Sequence, residues 1–226
     1  MHRWVWDLHF PPPVTSRHDY PISAIPHDTP RYPLGPTVLP GNYSVRLSVD
    51  GKTSTAPLTV KMDPRVKTSP AELQKKFETE TRLAALVSQS TQALLEAGAI
   101  REQLAKLSGD SSHKVNVESY EKKLDTLIGS QGGFMAPPSP EANLNRVSGQ
   151  AGTLYQQVWQ ADAAPTTSQM EASNAVGHDS AEVMRRWSDF KNTDLPALNR
   201  LLRESQVPEI KLPQDGPREE VEGDEE

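Results

Sequence analysis

The chain contains no cysteine. Disulfides, thiolate metal sites and a cysteine nucleophile are therefore excluded, while the redox compartment stays open. Aromatic residues make up only 6% and hydrophobic residues 35% of the 226 positions, a thin apolar supply for one compact enzyme of this length. Two small units joined in series fit that supply better. No apolar run approaches the roughly 20 residues that cross a bilayer, so no membrane span is expected. The opening, MHRWVWDLHF, also lacks the continuous apolar core of an export signal. Nor is there a surplus of positive charge. Residues 215–226 hold seven acids and one base, net −6, which equals the charge of the whole chain, so residues 1–214 balance 23 acids against 23 bases. A neutral body offers no basic face for phosphates, and a nucleic-acid partner is not expected. The tail itself reads as a solvated, disordered acidic end, because like charges repel and bury no surface.

What is present changes character near residue 66. More than half of the 20 prolines lie before it, together with the strand-like segments, and the sequence after it turns helical. Arg3–Phe10 alternates apolar and other residues, which predicts a strand with Trp4, Trp6 and Leu8 on one side. Prolines then recur to Pro40, removing backbone donors, so this stretch is expected to be an extended crossing loop without a regular ladder. Tyr43, Val45, Leu47 and Val49 follow at period two. Asp50-Gly51 then makes a strong hairpin signal, and Thr55–Met62 is the expected return strand, with Pro57 marking an edge or a bulge. Three strands are too few to bury both faces of a sheet in water, so partner strands are missing.

The second part opens on Ser69, Pro70 and Glu72, a capping box with proline at the first helical position. Leu73, Phe77, Leu83, Val87, Leu94, Ala97, Ile100, Leu104 and Leu107 form one apolar stripe on a helix ending near Leu107, with Gly98 as its weak point. A second helix is expected over about 116–128, closed by Gly129. A third starts at Ser139-Pro140 and ends before Pro165. A fourth opens on a Thr166/Gln169 capping box and runs through Trp187 and Phe190, and a last short helix opens at Asp194 and Pro196. The fold class is thus a multi-part α+β chain. Residues 1–66 form a partial Ig-like β-sandwich, 67–212 an antiparallel α-helical bundle and 213–226 the acidic tail.

Reactive constellations are not evident. Of the six histidines, His9, His18 and His27 fall nine residues apart, but none pairs with another at helical ligand spacing, and no metal site or cofactor is expected. Glu78, Glu80, Glu118 and Glu121 stand among lysines and arginines, as on solvated helix faces. Neither a nucleophile elbow nor a phosphate loop nor an H-E-x-x-H occurs, so no catalytic residue is assigned and the chain is not expected to be an enzyme. Trp4, Trp6 and Tyr43 are the ligand-binding candidates, since exposed aromatics stack on sugars; as alternating strand residues they also suit core filling. With Tyr20 and Tyr32 they support an alternative reading as a carbohydrate-binding module of a glycoside hydrolase. The length of the first helix supports a further one, a self-associating coiled coil.

HRWVWDLHFPPP, the segment HDYPISAIPHDTPRYPLGPTVLPGNYSVRLSVDGK, APLTVKMDPRVKTSPAELQKKF, ADAAPTTSQ and DLPALNRLL, in that order, resemble the C-terminal region of large bacterial sortilin-like proteins. These are propellers with BNR repeats, often labelled glycosyl hydrolases, in which an Ig-like module and a helical segment follow the propeller. The resemblance implies a non-catalytic accessory module of a larger secreted or periplasmic protein, with the propeller and the first Ig-like strands preceding residue 1. It implies as partner that propeller or another protein, with glycan as a further option. It transfers no active-site residue.

Overall fold

The computed structural model describes residues 5–16, 32–108, 117–129 and 141–213. These residues form a mixed α+β chain that is mostly helical, with a single two-stranded antiparallel sheet among them. The sheet is the hairpin read from the sequence, β1 (Gly41–Val49) and β2 (Lys52–Val60). Asp50 and Gly51 link them with φ of 48° and 76°, both positive as a type I′ turn demands, and the register runs from Val49↔Lys52 to Gly41↔Val60. Only the root of the hairpin is covered. Towards the turn, Val45, Leu47 and Val49 are 43%, 63% and 55% exposed.

The strand expected over Arg3–Phe10 does not form in its described part, residues 5–10, where Leu8 takes a φ of 65° and breaks the alternation. A single bridge, His9↔Thr37, remains, flanked by Phe10 N–H donating to Pro36 O and Val38 N–H to Leu8 O, both at 2.9 Å. The ladder cannot lengthen, since Pro11 to Pro13 and Pro36 have no N–H to give. Residues 5–16 and 32–40 therefore run as an extended, proline-rich strap; of the crossing loop expected from Pro11 to Pro40, residues 17–31 fall outside the described residues.

Helix α1 (Pro70–Ser108) is 39 residues long, about 58 Å at 1.5 Å per residue. Its capping box is present, with Ser69 N–H donating to Glu72 Oε2 at 2.8 Å and Glu72 N–H to Ser69 Oγ at 3.3 Å. The helix continues through Gly98 without a break. Helix α2 (Glu118–Ile128) is closed by Gly129 at a φ of 73°. Helix α3 (Leu144–Trp159) begins at Asn143, whose Oδ1 accepts Arg146 N–H at 2.9 Å; the start expected at Ser139-Pro140 falls outside the described residues. Helix α4 (Thr167–Asp189) carries the complete Thr166/Gln169 capping box. It does not stop before the last helix, because a π-helical turn, Phe190–Asp194, carries it straight into α5 (Leu195–Glu204).

The helices bury their stripes on one another. Ala97, Ile100 and Leu104 of α1, Leu124 of α2, Leu144, Val147 and Ala151 of α3 and Val183 and Trp187 of α4 share one core with Leu198 and Leu202 of α5. The residues after α5 close its end. Asn199 holds Ile210 through two hydrogen bonds at 2.9 and 3.0 Å, and Gln103 holds Lys211 in the same manner at 3.0 and 2.8 Å, each amide serving one backbone N–H and one C=O. That clamp seats Val207 and Ile210 in the core.

Candidate functional site

Of the three aromatic candidates, Trp4 lies outside the described residues. The other two meet where the strap joins the hairpin: the rings of Trp6 and Tyr43 lie 5.8 Å apart at 71°, edge to face. Their polar atoms are turned inward. Trp6 Nε1–H donates to His9 O at 3.0 Å, and the Tyr43 hydroxyl donates to Leu39 O at 2.6 Å. Both rings are half-buried, so this pair ties strap to hairpin and presents no flat face pair of the kind that stacks on a sugar ring.

The most unusual chemistry lies under the strap. Glu80 is fully buried, against its reading as a solvated surface acid, and its Oε1 accepts from Lys76 Nζ at 2.6 Å. Thr37 N–H of the strap reaches the second oxygen, Oε2, at 3.3 Å. Burial pushes the Glu80 carboxyl above its ordinary value, opposed by Lys76, by the Thr37 N–H and by His9. Tyr155 of α3 donates its hydroxyl to Leu34 O at 2.7 Å, and burial together with the charge of Glu80 pushes its pKa up. His9 and Tyr32 of the strap flank Trp159 at 6.0 and 5.7 Å between ring centres, and Phe10 packs on Phe77 at 5.4 Å. Gly35 is required there, because any Cβ would collide with the carbonyl of Phe10 in the other half of the strap.

Spacing carries a signal that residue type hides. Leu73, Lys76, Glu80, Leu83 and Val87 follow steps of three, four, three and four, so Lys76 and Glu80 occupy core positions of the α1 stripe. Both carboxylate oxygens and the tyrosine hydroxyl are committed to partners within the chain, which makes a lock that pins the strap, whereas Nδ1 of His9 and Nε1 of Trp159 are buried without a hydrogen-bond partner among the described residues.

A second polar centre sits beside the π turn. Lys191 Nζ contacts Glu96 Oε2 at 2.9 Å and lies 5.2 Å from the centre of the Trp187 ring, which itself stacks on Phe190. Burial pushes the Glu96 carboxyl up, but Lys191 and the Gln92 amide outweigh it and hold the carboxyl below its ordinary range. Open grooves are shallow and lie elsewhere. One of about 280 Å³ follows the strap along α1, lined by Phe10, Pro12, Pro36, Phe77 and Ala84. Another of about 420 Å³ lies between α3 and α4, where Gly149, Gln150, Gln157 and Ala172 line it beside the Arg146–Asp179 pair at 3.0 Å.

The hairpin is the remaining candidate. Residues 41–61 hold Arg46, Lys52 and Lys61 against the single acid Asp50, a net charge of +2 on an element whose apolar face is open. Among the described residues no group of three or more His, Asp or Glu side chains gathers where it could hold a metal ion. No described helix is long and apolar enough to cross a membrane. Comparison of the chain with protein-family models, with curated proteins and with solved structures gives no match.

Proposed function

We propose that the chain is an accessory interaction module of a larger secreted protein, the C-terminal part of a sortilin-like propeller protein with BNR repeats. In this reading the hairpin and strap belong to an Ig-like sandwich whose other strands lie outside the described residues, and the helices form an antiparallel bundle behind it. The observation that carries the reading is the hairpin itself. Its two nine-residue strands pair in full register, yet Leu47 is 63% and Val49 55% exposed. An isolated two-stranded hairpin is marginal in water, and a contiguous open apolar face marks a contact surface. The helices support the same reading by default, since their stripes are consumed within the chain. The experiment is an immunoblot of the source organism with an antibody to α1–α4. A band several times larger than 24.9 kDa supports the module reading, and a band at 24.9 kDa refutes it.

A further inference from the structure

The hairpin has two outer edges, and they are not equivalent. In a two-residue I′ turn the flanking pair, Val49↔Lys52, exchanges both of its N–H···O bonds, and bonded pairs then alternate with non-bonded ones along the ladder. The odd residues of β1 therefore bond inward. Asn42, Ser44, Arg46 and Ser48 turn their N–H and C=O groups outward, opposite Thr59, Pro57, Thr55 and Thr53. Pro57 thus falls on an outward-facing position of β2 and leaves a gap in that edge's row of donors, as natural edge strands do when they resist pairing. β1 has no such block, and none of its outward backbone groups bonds to another described residue.

Charge narrows the occupant. Arg46 stands on the exposed polar face of β1 without a described ion-pair partner, and β1 contains no acid. Antiparallel pairing of β1 with a second copy at full overlap would set Arg46 beside Ser44 of the other copy and bring the two guanidinium groups to diagonal neighbours, with no carboxylate between them. A strand from a different sequence avoids that repulsion. We propose that the outer edge of β1 accepts an extended strand, apolar opposite Val45 and Leu47 and acidic opposite Arg46, which extends the sheet on that side and sets its apolar side chains beside Val45 and Leu47. This deepens the interaction-module reading and rests on it.

The test uses the full chain and a fluorescein-labelled nine-residue peptide of alternating threonine and valine with a central glutamate, beside the same peptide with a central lysine, read by fluorescence anisotropy. The glutamate peptide binds the wild-type chain about fivefold tighter than the lysine peptide, the ratio of one exposed charge pair. Arg46→Glu inverts that preference without touching the backbone. Ser44→Pro removes an outward N–H and weakens binding tenfold or more, whereas Thr55→Pro, on the β2 edge, leaves it unchanged. Binding by neither peptide, loss on Thr55→Pro with Ser44→Pro silent, or a chain that is dimeric in light scattering and becomes monomeric on Ser44→Pro would each overturn the proposal. The size of the native polypeptide is read independently, so a failed edge and a failed parent-protein reading are told apart.

Discussion

Cutting one partner out of the Lys76–Glu80 pair tests whether the strap is locked as described. The side chains are 5% and 0% exposed and 2.6 Å apart, so removing either leaves a charge in a site that water does not reach. Such a loss costs about 3–5 kcal/mol, a large share of the roughly 5–15 kcal/mol that holds a domain of this size together. Lys76→Met and Glu80→Leu should each lower the urea midpoint by about 1.5–2.5 M for a slope near 2 kcal/mol per molar. The double variant removes both charges and replaces them with apolar volume, so most of the loss returns. What stays lost is the bond from Thr37 N–H to Glu80 Oε2, about 1 kcal/mol. Urea unfolding followed by both tryptophan fluorescence and helical circular dichroism gives the cycle, and coincident transitions license its free energies. Single variants that each cost under about 1 kcal/mol, or a double variant equal to their sum, would refute the buried-lock account.

Tyr155→Phe leaves Leu34 O without its donor and should destabilise by about 1–2 kcal/mol in the same urea assay, with no change in helix content. Gly98→Ala should stabilise by about 0.5–1 kcal/mol, since Gly98 is interior to α1 and a Cβ there meets nothing within 4 Å; thermal melts check it. Glu96 has a folded pKa below its ordinary 4.5, so its stabilisation is present above that value and fades as pH falls through the folded value. Lys191→Met should therefore flatten the fall of stability on acidification below about pH 5, measured by urea midpoints across pH. Hydrogen exchange should show the β1 and β2 amides opening far more readily than those of Val183 and Trp187, because no described residue covers the distal hairpin.

Elements whose signals are local were legible in the sequence. Asp50-Gly51 names its own turn type, and Ser69/Glu72 and Thr166/Gln169 name their own helix starts, because each satisfies backbone groups only three residues away. Features set by distant partners were not. The alternation at residues 5–10 reads as strand, but a ladder needs donors on both sides, and beyond the contact with Thr37 and Val38 the prolines Pro11 to Pro13 and Pro36 supply none. Glu80 reads as surface because its type is charged, while its burial depends on Thr37 and Tyr155, 43 and 75 positions away. The amide clamps of Asn199 and Gln103 left no pattern, since an isolated amide on a helix is ordinary until a chain end lies across it. Trp6 and Tyr43 were singled out with Trp4 only as ligand-binding candidates; that their rings meet and their polar atoms bond inward depends on the course of the strap.

The distribution of satisfied and unsatisfied surface separates the two parts of the chain. In the two buried polar clusters Glu80 is spent on Lys76 and Thr37, Tyr155 on Leu34 and Lys191 on Glu96. The apolar stripes of α1, α3 and α4 are likewise spent on one another. The strap couples this closed part to the hairpin through Trp6 and Tyr43, which fixes the root of β1 while its distal residues stand free. A hairpin that is anchored at its root loses less conformational freedom when a strand docks than a floating one would. In the proposed strand binding, the lock beneath the strap would act at a distance, holding one sheet edge in a fixed direction, with Pro57 closing the other.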